Sequence, residues 1–63
     1  MGFRSARIKA GLSALQAADA LGVTDAAVYQ WETGAFLPNA KRLTDIAKLY
    51  HCTVDELLKK DEE

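Results

Sequence analysis

Few residues in this chain can carry covalent or metal chemistry. His51 and Cys52 are adjacent, and each is the only one of its kind. A metal site needs three or four converging ligands, and no further thiol or acid clusters with this pair. A nucleophilic cysteine needs a base facing it, whereas sequence neighbours point apart. Free cysteines commonly lie in the packed interior. No paired carboxylates, phosphate loop or catalytic triad can be assembled, and 63 residues leave little room for a substrate cleft. The expectation is a protein that is not an enzyme and holds no cofactor and no metal.

What remains is hydrogen-bonding chemistry, concentrated in GVTDAAVYQWETG, residues 22–34. On a helical wheel of about 100° per residue, Thr24, Ala27, Val28 and Trp31 share one sector, which reads as a buried stripe. Ala26, Tyr29, Gln30 and Thr33 lie opposite. This second face is small, neutral or amide-bearing, which suits entry into a DNA major groove. A glutamine pairs with adenine N6 and N7, and an alanine methyl meets the thymine methyl. A tyrosine hydroxyl can donate to a phosphate or a base acceptor. The same face also reads as an ordinary solvated one, the commoner fate of an amphipathic helix.

The segment contains no Lys or Arg and carries Asp25 and Glu32. That is compatible with base reading, because phosphates can be held from flanking elements. Candidates are Arg4 and Arg7 near the start, Lys41 and Arg42 later, and the free N–H groups of the helix that follows Ser13. Asp25 would repel phosphate. Its position in a first helical turn favours the helix dipole, and that role is preferred to accepting from a cytosine N4.

These groups have to be positioned by helices, since neither period-2 alternation nor a hairpin turn occurs. Residues 2–10 form a short basic candidate ending at Gly11, a suitable left-handed terminator. Ser13 with Gln16 makes a capping box that opens a second helix to about Leu21, stopped by Gly22. Thr24 caps a third, ended by Gly34. Asn39 caps a fourth with Leu43, Ile46, Ala47 and Tyr50 at i, i+3, i+4, i+7. Thr53 with Glu56 opens a fifth through Leu57 and Leu58. The glycine-centred connection Leu21-Gly22-Val23 is short enough to force a steep crossing, the helix-turn-helix arrangement.

Composition agrees with a single small all-α domain over residues 1–63. At 49% apolar and 27% charged it is globular,. A chain this short buries only about 60% of its unfolded surface. One cysteine excludes an internal disulfide and fits a reducing, cytoplasmic setting. No apolar run approaches about 18 residues and no secretory core follows Met1, so the expectation is a soluble, cytoplasmic protein without a membrane partner. The net charge is −1. Residues 1–50 nevertheless carry a small positive excess, and five of the nine acids lie in the last thirteen residues, which end in an acidic tail at 59–63.

FRSARIKAGLS, AADALGVT, AVYQWETG, LPNAKRLTDIAKLY and TVDELL follow one another along the chain. In this order and spacing they resemble the Cro/XRE-type, phage-repressor-like helix-turn-helix DNA-binding domains, over nearly the whole length. The resemblance implies a five-helix lambda-repressor-like fold with the helix-turn-helix core at about 13–33. It implies double-stranded DNA as partner, with a palindromic operator and a homodimer. Asp25, Ala26, Ala27, Tyr29 and Gln30 fall where such proteins touch bases or nearby phosphates. Backbone contacts fall to Arg4, Arg7, Ser13, Ala14, Thr24, Asn39, Lys41 and Arg42. Arg7 and Glu32 match a pair that forms a structural salt bridge, Trp31 and Cys52 match core positions, and Tyr50, Leu57 and Leu58 are core, dimer interface or both.

Several positions depart from the family. Ala14 replaces a customary glutamine, Tyr29 a small hydroxyl residue, and Ala17 a leucine, with Leu15 turned outward. The loop after Gly34 is apolar, Ala35-Phe36-Leu37, where relatives are often basic. Phe36 reads either as an exposed anchor for a partner or as a lid on the core, and the lid is preferred. Fewer phosphate contacts imply weaker binding with a shallower salt dependence, so affinity is expected to lean on dimerisation or on a second protein. The reading is a sequence-specific transcriptional regulator of the repressor kind. The alternative is a protein-interaction module of the same fold, antitoxin-like or a co-regulator, favoured by Asp25, Ala14 and the apolar loop. A third is the DNA-binding part of a longer regulator.

Overall fold

A computed structural model describes residues 2–59. Lys60 and the acidic residues Asp61, Glu62 and Glu63 lie outside the described residues. Five helices follow one another: α1 (Phe3–Lys9), α2 (Ala14–Leu21), α3 (Asp25–Thr33), α4 (Ala40–Tyr50) and α5 (Val54–Leu58). Among the described residues there is no strand.

Local chemistry places four of the five starts. Ser13, Thr24, Asn39 and Thr53 all have extended backbones. Each side-chain oxygen accepts from the N–H three residues on: Ser13 Oγ from Gln16 at 3.0 Å, Thr24 Oγ1 from Ala27 at 3.2 Å, Asn39 Oδ1 from Arg42 at 2.8 Å and Thr53 Oγ1 from Glu56 at 3.1 Å. Both capping boxes close, with Gln16 Oε1 accepting from the Ser13 N–H at 2.8 Å and Glu56 Oε1 from the Thr53 N–H at 2.9 Å. The Thr53 N–H holds the Glu56 carboxyl below its ordinary pKa. Each cap stabilises by about 1 kcal/mol. A domain of this size has about 3–9 kcal/mol in total, so four caps are a substantial share.

The helix ends are less uniform. Gly22 (φ 72) terminates α2 in the left-handed region, as a glycine does without strain,. α4 ends in the same geometry on His51 (φ 58), the one described non-glycine with positive φ. There the Cys52 N–H still reaches the Ala47 carbonyl at 3.0 Å and the His51 N–H that of Lys48 at 3.3 Å. The hydrogen bonds of the terminus thus outweigh the side chain's steric cost in the left-handed region, about 1–2 kcal/mol.

The core is assembled from one face of every helix: Phe3 and Ala6 of α1, Ala14, Ala17 and Ala18 of α2, Val28 and Trp31 of α3, Ile46, Ala47 and Tyr50 of α4, and Leu57 of α5. Alanines alone make the buried side of α2, so its backbone can approach its neighbours closely. The Phe3 and Trp31 rings pack at 6.5 Å between centroids.

Some sequence expectations are revised. Tyr50 (4% exposed) and Leu57 (1%) take the core place that was one of the two readings left open for them, whereas Leu58 stays half exposed. Phe36 is no lid: after Gly34 the chain turns outward and leaves Phe36 62% and Leu37 70% exposed. Cys52 is only partly buried, packed on the core's edge, and this burial pushes its thiol pKa up. Thr24, placed on the buried sector by the wheel, is exposed because it serves as the cap.

Candidate nucleic-acid interface

The outer face of α3 depends on how α2 ends. The Val23 N–H donates to the Ala18 carbonyl at 3.0 Å and the Gly22 N–H to that of Asp19 at 3.4 Å. This paired closure needs a left-handed residue at 22. Thr24 then caps the next helix, so the turn consists of Gly22, Val23 and Thr24, one residue later than the sequence suggested. Val28 and Trp31 anchor α3 inward, and Ala27 is half-buried against the same core. Asp25, Ala26, Tyr29, Gln30 and Thr33 are exposed.

Of the residues expected to meet bases, four therefore stand free on one helix and Ala27 shows only an edge. The Thr33 hydroxyl donates to the Gln30 carbonyl at 3.3 Å. That engages Gln30's main chain and leaves its amide side chain free, a bidentate donor and acceptor with no competing partner among the described residues. Asp25 sits in the first turn, where its charge favours the positive end of the helix.

The other end of α3 is clamped from inside. Arg7 Nε donates to Glu32 Oε2 at 2.6 Å, Nη2 to Oε1 at 3.3 Å, and Nη1 to the Leu12 carbonyl at 3.0 Å. The two side chains are only 10% and 5% exposed. Hydrogen bonding to Glu32 holds the Arg7 pKa above its ordinary value, overriding the opposing effect of burial. This corrects the reading of Arg7 as a phosphate contact, because all three nitrogens of its guanidinium already have acceptors inside the fold. Burial, with Glu32 nearby, pushes the Tyr50 hydroxyl up to about 12.

The remaining candidates for the backbone of a nucleic acid divide by environment. Ser13, Thr24 and Asn39 are exposed caps. Their oxygens accept from helix N–H groups, but the two hydroxyl protons and the Asn39 amide can still donate outward. The Ala14 side chain is buried at 5%, so only its main chain can act; the Ser13 cap takes the Gln16 N–H and leaves those of Ala14 and Leu15 for an outside acceptor,. Lys41 is exposed and shares a polar hollow with Asn39, Arg42 and Asp45. Arg4 lines a different groove with Thr33, Gly34 and Leu58. That groove lies at the C-terminal end of α3, whose last residue is about 12 Å along the axis from Asp25. Arg42 is half-buried, with Nη1 donating to the Leu21 carbonyl at 2.6 Å.

No group of three or more His, Cys, Asp or Glu able to hold a metal occurs among the described residues. No helix there is long and apolar enough to cross a membrane.

The arrangement has known counterparts. A family model described as helix-turn-helix matches residues 3–57. Among solved structures, the P22 c2 repressor protein in complex with the synthetic operator 9T, in the presence of Tl+, is similar with a TM-score of 0.82 and 32% identity, over 94% of this chain and 89% of that one. No curated protein matches.

Proposed function

The chain belongs to the helix-turn-helix family, and on that premise we propose that it is a sequence-specific DNA-binding regulator of the repressor kind. One observation carries the reading. The exposed side of α3 presents Ala26, Tyr29 and Gln30 with no positive charge and no bulky aliphatic, on a helix fixed at both ends. Such a face reads base edges, and its lack of positive charge, with Asp25 at its start, is no obstacle because phosphate attraction is a separate, sequence-independent contribution. That contribution comes from Lys41, the donors at the Ser13, Thr24 and Asn39 caps, and the N–H groups at the start of α2. The likeness to a repressor solved with operator DNA supports the same reading.

The protein acts in the cytoplasm, without catalysis or a cofactor, by occupying its site and blocking polymerase. It binds as a homodimer whose two α3 helices lie about 34 Å apart, one turn of duplex. Few cations face the nucleic acid, so each protomer contributes modest affinity and pairing makes up the difference.

Selection of bound duplexes from a random pool, with affinity followed as salt is raised, tests this. Enrichment of a two-fold-symmetric site whose affinity declines with salt supports it. Binding that stays at background at low salt removes it, and leaves the second reading, a protein-interaction module of the same fold. The exposed Phe36 and Leu37 beside α3 favour that alternative.

A further inference from the structure

We infer that Arg42 is a positioning residue: it holds the α2–α3 turn, and so the direction of α3, by closing the C-terminal end of α2 from α4. The inference rests on the DNA-binding reading above for its functional consequence, though not for its structural one.

The geometry begins with the unpaired carbonyls of α2. Every helix ends with four carbonyls that lack an intrahelical partner, and these carry the negative end of the helix dipole. In α2 the Val23 and Gly22 N–H groups satisfy Ala18 and Asp19. Ala20 and Leu21 remain. The last turn of α2, like those of α3 and α5, contains no basic residue, whereas those of α1 and α4 contain Arg7 with Lys9, and Lys48. Arg42 supplies the missing cation from 21 residues away, donating Nη1 to the Leu21 carbonyl at 2.6 Å. Its own backbone is held at the start of α4 by the Asn39 cap at 2.8 Å. The guanidinium is thus anchored at its root in α4 and at its tip in the residue preceding Gly22.

Gly22 needs that restraint. A glycine in a turn has more freedom than any other residue, and the orientation of α3 depends on the three residues 22–24. Tying the Leu21 carbonyl to α4 removes a hinge where the reading helix joins its support. Arg42 thereby acts on base recognition through the turn, and its charge is directed at a carbonyl within the fold, not at a phosphate.

The two roles separate experimentally. In the full chain, Arg42→Gln and Arg42→Lys are compared with the unaltered protein on the operator recovered by selection and on a scrambled duplex of equal length and composition, across a salt series. Amide hydrogen exchange at Gly22, Val23 and Thr24 is measured without DNA, with Ile46 as the report on global unfolding. For Arg42→Gln the expected result is about tenfold weaker operator binding. Scrambled-duplex binding stays within about twofold and the salt slope is unchanged. Turn amides exchange faster while Ile46 does not change, and Arg42→Lys, which keeps one charged donor, restores most of the loss.

Equal weakening of both duplexes, with the slope reduced by about 0.9 and turn amides unmoved, overturns the inference and makes Arg42 a phosphate contact. If the unaltered protein selects no DNA at all, the functional reading fails. The exchange data then still decide whether Arg42 holds the turn, and unmoved turn amides overturn that too.

Discussion

Replacing Glu32 with leucine should nearly unfold this domain, and replacing Arg7 along with it should bring it back. Among the described residues, Glu32 is the only carboxylate meeting the Arg7 guanidinium, through contacts of 2.6 and 3.3 Å, with both side chains at or below 10% exposure. Glu32→Leu leaves a buried cation whose remaining acceptor is the Leu12 carbonyl. Removing one partner of a buried ion pair costs about 3–5 kcal/mol. Total stability for 63 residues is about 3–9 kcal/mol, so the single variant is left with little or none. Arg7→Met with Glu32→Leu removes both charges and fills the space with apolar atoms, and the expected double variant lies within about 1 kcal/mol of the parent or above it. Urea unfolding followed by Trp31 fluorescence and far-ultraviolet dichroism measures all four proteins. Raising salt from about 0.05 to 0.5 M should change the coupling little, because buried pairs are poorly screened. The reasoning is refuted if Glu32→Leu loses less than about 1 kcal/mol, or if the double variant is no more stable than either single one. A functional corollary follows from the same proteins: with Arg7 withdrawn from solvent, the double variant retains its affinity for DNA.

Three further outcomes are expected. Tyr50 has its pKa raised to about 12 by burial, so it favours folding fully below its unfolded value near 10 and loses that contribution as pH rises towards 12. At pH 11 the loss is about 1.4 kcal/mol, and Tyr50→Phe should show a correspondingly smaller fall in urea midpoint between pH 8 and 11; equal falls in the two proteins would dismiss it. Gly22→Ala meets no atom within 4 Å at the added Cβ, so its penalty is the left-handed backbone alone, about 1–2 kcal/mol by denaturation. Gln30→Ala should relax base preference at one operator position by about 1–3 kcal/mol while leaving the salt slope intact; an unchanged selected motif would take Gln30 out of the reading face.

The helices were legible because their signals are local. A cap such as Ser13 with Gln16, or Thr53 with Glu56, involves four consecutive residues and closes whatever the rest of the chain does. The same holds for Gly22 and Gly34, whose left-handed backbones need no distant partner. Periodicity along α3 likewise separated Val28 and Trp31 from Tyr29 and Gln30, because a helix of fixed pitch divides its faces by spacing alone. The Arg7–Glu32 pairing, 25 residues apart, was suggested only by resemblance to a family, as no local rule joins such positions.

What the tertiary structure decided was the fate of groups whose partners lie far along the chain. Arg4, Arg7, Lys41 and Arg42 look alike in sequence, yet Arg7 is enclosed by α3, Arg42 is turned onto the end of α2, and Lys41 remains free. Tyr50 and Leu57 read equally as core or as contact surface until the packing of α1, α4 and α5 enclosed them. Phe36 and Leu37 were left outside because the core closed without them. His51 took a left-handed backbone that its own residue type disfavours, since two hydrogen bonds at the end of α4 outweigh the steric cost. A short stretch of sequence specifies whether a helix begins, but burial and the direction of a long charged side chain are properties of surfaces that exist only once the helices have met.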